Sequence, residues 1–97
     1  MPQIEQNGSH LSVRGAMTME NVGALLDESR SLFSGGSLEM DLAGVDEVDS
    51  AAVSLLFAWL RQAGENNVSL VFVNLPANLA SLATLYGVLD LIPQPAH

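Results

Sequence analysis

VDEVDSAAVSLLFAWL, Val45 to Leu60, passes within a few residues from an acidic segment to an almost wholly apolar one. Asp49 and Ser50 stand at the junction. Both are favoured helix N-caps, because a short side-chain oxygen there accepts a bond from an otherwise unpaired amide of the first turn. The apolar residues that follow recur at helical spacing, so a helix is expected from about Ala51 to Ala63. Gly64 and Asn66-Asn67 close it. Set out at 100° per residue, Val53, Phe57 and Leu60 form the centre of its apolar face, flanked by Leu56 and Ala52. Trp59 and Leu55 widen the apolar arc to about 200°. A helix lying on a sheet needs only a little over ~100°. The surplus, Trp59 and Leu55, is either packed on a neighbouring helix or presented to a partner.

Upstream, SLEMDL alternates, with Leu38, Met40 and Leu42 on one face and Glu39 and Asp41 on the other. That is the period of a strand half-buried on a core. Asp46 and Glu47 read as a solvated acidic loop after it. Further upstream, Asn7-Gly8 is a strong hairpin turn signal between two extended pieces. Leu11, Val13 and Gly15 alternate with Ser12 and Arg14. Thr18 is expected to cap a helix with Glu20 in its first turn and Val22, Leu25, Leu26, Ser29, Leu32 and Phe33 at helical spacing. Gly35-Gly36 ends that helix. Downstream, VSLVFV (Val68–Val73) is almost continuously apolar and reads as a central strand buried on both sides. Pro76 opens a third helix, with Leu79, Leu82, Ala83 and Tyr86 facing inward and Gly87 as its stop. VLDLI is a final short strand or helix. The resulting fold class is α/β, a single domain over residues 1–97 with a mixed sheet and the order β-β-α-β-α-β-α.

Composition restricts the function. The 97 residues are 48% apolar and 14% charged, which suits one packed core. Eleven acids face three arginines (Arg14, Arg30, Arg61) and no lysine, for a net charge of −8. Such a surface repels phosphate backbones and anionic headgroups, so direct binding to nucleic acid or insertion into a membrane is not expected. The longest nearly apolar run, Ala51 to Leu60, is half a membrane span. The opening MPQIEQNGSH has no basic start or apolar core, so no signal peptide is read and a cytoplasmic protein is expected. There is no cysteine. His10 and His97 lack a nucleophile at readable spacing, and Ser50 lacks a base. Asp41, Asp46, Glu47 and Asp49 do not follow a calcium-loop pattern. No catalytic site, metal or cofactor is expected. Ser50 remains as an exposed hydroxyl at a helix start. As a phosphate acceptor it would gain roughly −1.5 to −2 charge beside Asp49, Asp46 and Glu47.

The segment MDLAGVDEVDSAAVSLL resembles the STAS domain (sulfate transporter and anti-sigma factor antagonist). Asp41-Leu42 at the strand end, with Asp49-Ser50 eight residues on, carries most of the likeness. The family's element order matches the one read above. Two branches are similar. ENNVSLVFVNLPANLASLATLYGVLDLIP, and LATLYGV above all, is similar to the MlaB-like STAS subunit of the Mla phospholipid-transport ABC complex. That resemblance implies a non-enzymatic subunit docked on the cytoplasmic ATPase of the transporter, at the inner face of the inner membrane. The contact maps to Ser50, with Asp49, Ala51 and Ser54 on the same helix end. The other branch is the anti-sigma factor antagonist, whose partner kinase phosphorylates the serine of the Asp-Ser pair; here that is Ser50. Ala51-Ala52 stand where many of those proteins have a small residue and then glycine.

Overall fold

The structure, a computed structural model, describes residues 3–95. Met1, Pro2 and the last two residues of the terminal PQPAH, Ala96 and His97, lie outside them. Two strands, β1 (Ile4–Asn7) and β2 (His10–Met17), form an antiparallel hairpin in which Asn7 pairs with His10. The loop is thus Gly8-Ser9, and Gly8 takes φ +65°, the left-handed region that glycine enters without a Cβ clash. Next come α1 (Val22–Ser29), β3 (Ser37–Val48), α2 (Ser50–Glu65), β4 (Ser69–Val73), α3 (Ala77–Leu85) and a 3-10 turn, Leu89–Leu91. The sheet order is β1-β2-β3-β4, with β2, β3 and β4 parallel. The sheet is mixed, as expected, and the terminal VLDLI resolves as the 3-10 turn.

Alternation sets the core. Leu11, Val13, Leu38, Met40, Leu42, Leu70 and Phe72 are buried on one sheet face. Residues between them, such as Ser12, Glu39, Asp41, Val71 and Val73, remain half-buried on the other. The helices therefore cover one side only. Each parallel connection carries one helix, and connections of the same hand in a sheet of sequential order place their helices on the same side.

Three sequence expectations are corrected. First, VSLVFV is an edge strand rather than a central one. Leu70 and Phe72 point in, Val71 and Val73 out. Its free edge is covered by the C-terminal segment, where the Phe72 amide donates to the Pro93 carbonyl at 2.9 Å. Second, Thr18 does not cap α1. The Asn21 side chain accepts from the Thr18 amide and hydroxyl at 2.6 and 3.1 Å, which closes residues 18–21 into a turn. The helix starts at Val22 and ends at Ser29; Phe33 reaches the core from the turn that follows. Third, Asp46 and Glu47 lie on a strand. β3 runs twelve residues to Val48 because two register shifts let β2 follow it to Met17. Gly44 permits that approach: a Cβ there would lie 2.9 Å from Arg14 Cγ and 3.0 Å from the Val13 carbonyl oxygen.

The face of α2 also differs from the ideal-angle reading. Its buried stripe is Ala52, Leu55, Leu56, Trp59 and Ala63, with Val53 at its border. Trp59 and Leu55 are core, while Phe57 and Leu60 are half-buried flanks. Trp59 is fully enclosed, with its ring centroid 6.4 Å from that of Phe72. Its indole Nε1 donates to the Ser29 hydroxyl at 2.8 Å, and that hydroxyl donates to the Leu26 carbonyl at 2.9 Å. Ser29 is itself fully buried. The bond between α1 and α2 thus satisfies the one polar atom that the largest core side chain carries.

On the open sheet face, Asp41 Oδ1 accepts from the Ala43 amide at 2.9 Å and from Asn74 Nδ2 at 3.1 Å, while Oδ2 lies 3.6 Å from His10 Nε2. Burial pushes the Asp41 carboxyl up. The Ala43 amide, the Asn74 amide and the His10 ring outweigh it and hold the group below its ordinary value.

Two stability predictions follow from these bonds. Ser29→Ala should cost about 1–3 kcal/mol, because it leaves the buried indole N–H unpaired. Trp59→Phe should then cost less in the Ser29→Ala background than in the wild type, as measured by urea unfolding in a double-mutant cycle. Asp41→Ala should cost about 1 kcal/mol at pH 7. A carboxyl with a depressed folded pKa stabilises above its unfolded pKa, and that contribution fades as pH falls through the folded value. The gap between Asp41→Ala and wild type should therefore close below about pH 4.

Candidate functional site

The end of β3 delivers Asp49 to the N-cap of α2, with φ −135° and ψ −169°, an extended conformation suited to that position. Its Oδ1 accepts from the Ala51 amide at 2.8 Å. Its Oδ2 accepts from the Met19 amide at 3.0 Å, in the turn between β2 and α1. The Asp49 amide in turn donates to the Met17 carbonyl at 3.4 Å. One carboxylate thus caps a helix and holds a neighbouring loop against it. Of the two cap candidates in the sequence, Asp49 takes the role, and Ser50 becomes the first helical residue, exposed.

The four residues singled out from sequence fall into two kinds. Ser50 and Ser54 are exposed one turn apart on the outer face of α2, and Ala51 is half-buried beside them. Asp49 is half-buried, with both oxygens engaged by backbone amides. Ser50, Ala51 and Ser54 therefore present surface, whereas Asp49 organises it.

They lie in an open groove of about 570 Å³ whose lining is mostly apolar. Along α2 the floor is Ser50, Ala51, Val53, Ser54, Leu55, Phe57 and Ala58. Met19 and Val22 line it from the start of α1, and Tyr86 and Val88 from the end of α3. Met19 is 74% exposed and Tyr86 50%, alongside Leu85 and Leu91 among the exposed large apolar side chains. Sequence reasoning missed both. Tyr86 was expected to face inward with Leu79 and Ala83, but α3 ends at Leu85, and Gly87 with φ +71° turns the chain so that Tyr86 stands out. Met19 was lost inside the expected first turn of a helix that starts three residues later. The signal that could have found Met19 was Asn21, since a turn closed on its side chain leaves the preceding residue outside the helix.

Among the described residues no group of three or more histidine, aspartate or glutamate side chains is placed to hold a metal ion. His10 Nδ1 lies 3.0 Å from Glu39 Oε1 and far in sequence from the groove elements, on the open face of the sheet. No helix is long and apolar enough to cross a membrane among the described residues.

A search of curated proteins finds no match. Among solved structures, the anti-sigma factor antagonist SpoIIAA in its unphosphorylated form is similar with a TM-score of 0.62 at 15% identity, over 98% of this chain and 86% of that one. The crystal structure of Mglu is similar with a TM-score of 0.61 at 22% identity, over 78% of this chain. The chain spans about a fifth of the length of Mglu, 20% of it being covered. At these identities the likeness is one of fold. The family model described as "Mlab, STAS domain" matches residues 1–93, and the chain belongs to that family as a MlaB-like STAS domain protein.

Proposed function

We propose that this chain is a non-enzymatic subunit that binds, and supports or regulates, the cytoplasmic ATPase of an ABC-type phospholipid (Mla) transporter. The contact is the start of α2, with Ser50, Ala51 and Ser54 at the surface and Asp49 beneath it. The observation that carries this reading is the division of labour at that helix end. Asp49 supplies the cap, so the fold makes no use of the Ser50 hydroxyl as a cap, and that hydroxyl sits exposed within an apolar groove. Family membership supports the choice of partner, and STAS domains are typically regulatory rather than catalytic. The protein would then work in the cytoplasm, held at the inner face of the inner membrane by its complex. Its surplus of acids gives it no affinity of its own for anionic lipid.

A second reading draws on the same exposed serine and on the SpoIIAA-like fold: an anti-sigma factor antagonist whose partner kinase phosphorylates Ser50. A phosphoryl group there would meet the partly positive end of α2 and also the Asp49 carboxylate. Incubation with the candidate kinase and ATP, followed by mass spectrometry, separates the two. An unmodified Ser50 counts against this reading.

The first reading is tested by co-purification with the ATPase subunit of an Mla-type transporter. Ser50→Arg should weaken binding at least about tenfold, a loss of about 1.4 kcal/mol, while leaving the melting temperature unchanged. Asp49→Ala should lower stability by about 0.5–2 kcal/mol and weaken binding as well. A Ser50→Arg protein that binds the ATPase normally and leaves its turnover unaltered would remove this site from consideration.

A further inference from the structure

With four methionines and no cysteine, this chain offers an oxidant thioethers and no thiol. The thioethers are not equivalent. Met17 and Met40 are fully buried in the core, whereas Met19 is 74% exposed. The single indole, Trp59, is enclosed as well. The accessible sulfur stands on the wall of the groove whose floor holds Ser50, Ser54 and Phe57. No charged side chain lines that groove; the hydroxyls of Ser50 and Ser54 and the Tyr86 phenol are the polar side-chain groups in its lining. The backbone beneath Met19 is pinned, because its amide donates to Asp49 Oδ2 at 3.0 Å. A change of chemistry at the sulfur therefore alters the groove wall and leaves the turn that carries it in place.

We propose that Met19 is a site of reversible oxidation, whose sulfoxide turns the groove wall polar and weakens docking on it. The oxidant is a peroxide. A lone pair of the Met19 Sδ attacks the peroxide oxygen, an S–O bond forms and the O–O bond breaks. The sulfur is oxidised by two electrons, and the displaced hydroxide takes the proton and leaves as water. The product is a polar side chain in place of a flexible apolar one. A partner packed against it would have to bury a strong acceptor oxygen, which costs free energy unless a donor meets it. The amides of Met19 and Ala51 are not free to do so, since Asp49 already holds both. Reductases specific for each sulfoxide epimer restore the thioether, so the change can be undone. The coupling is reciprocal: a partner that covers Met19 shields it from peroxide, and oxidation of the free chain disfavours the bound state. The inference rests on reading the start of α2 as the docking surface and names a means of regulating it.

The test treats the whole folded chain with hydrogen peroxide and follows each methionine by peptide mapping. Met19 should gain an oxygen atom at least about tenfold faster than Met17 and Met40, because access to the sulfur sets the rate. The oxidised chain should bind the ATPase subunit of an Mla-type transporter at least about fivefold more weakly, with its melting temperature unchanged, and the two sulfoxide reductases should restore binding. Met19→Leu, which keeps Met1, should show the same affinity before and after peroxide. On a hydrophobic-interaction column the oxidised chain should elute earlier than the untreated one, and peroxide should not move Met19→Leu. Similar oxidation rates at Met17, Met19 and Met40 would overturn the inference. So would full binding after complete conversion of Met19, or an equal loss of binding by peroxide-treated Met19→Leu. If the untreated chain does not bind the ATPase subunit, it is the proposed function that fails. The mapping and the column then decide the inference: selective conversion with earlier elution upholds Met19 as the site, and an unshifted elution overturns it.

Discussion

The Asp49 carboxylate is the point on which the start of α2 and the turn beside it depend. Its two oxygens accept amides from two different elements, Ala51 in α2 and Met19 in the turn before α1. A hydroxyl in its place would cap the helix with a single oxygen and would have much less capacity to hold the loop as well. Because aspartate does both, the next residue is released from structural duty. Ser50 can then vary in modification state or in contact without the helix start unravelling. The groove walls are fixed by the same bond, since Met19 is held by its backbone while its side chain stands free.

The sheet explains why the groove lies on this face. All the helices lie on one side, so the other side is a polar surface of Glu5, Ser12, Glu39 and Asp41, internally paired through Arg14 and His10. That surface is flat and satisfied. The helical side is corrugated: α2 packs between α1 and α3, and the outer third of its circumference is left as the floor between their ends. The open, mostly apolar groove between Met19 and Tyr86 lies on that corrugated side.

Much of the architecture was legible because it rests on local chemistry. Leu38, Met40 and Leu42 alternate as a strand must, Asn7-Gly8 marks the hairpin, and Gly87 stops α3. The failures share a physical cause. VSLVFV is as apolar at Val71 and Val73 as at Leu70 and Phe72, so its pattern carries no information on whether one face or two are covered; only the strand order does. The same degeneracy misplaced the face of α2. With apolar residues over more than half its circumference, the centre of the arc was not the centre of the buried stripe. Trp59 settled the matter through a bond to Ser29, thirty residues away, which periodicity does not report. At the candidate site, the sequence singles out Asp49, Ser50, Ala51 and Ser54 through cap preferences and a family likeness. It did not bring Met19 and Tyr86 to them, because that placement depends on where α1 begins and α3 ends, to within a residue.

The two faces of α2 therefore answer to different constraints. On the buried side, Trp59 is enclosed by Phe72 and bonded to Ser29, so its replacement disturbs packing and hydrogen bonding together. On the outer side, Ser50, Ser54 and Arg61 are exposed and lend the fold little, so substitutions there fall within the small range usual for surface positions. A helix arranged in this way allows its outer residues to change without a loss of stability, provided Asp49 is kept. The SpoIIAA likeness covers nearly the whole chain at 15% identity, so the scaffold persists while most side chains differ. In this chain the outward residues of α2, with Met19 and Tyr86 beside them, line an open and mostly apolar groove whose floor the fold leaves free.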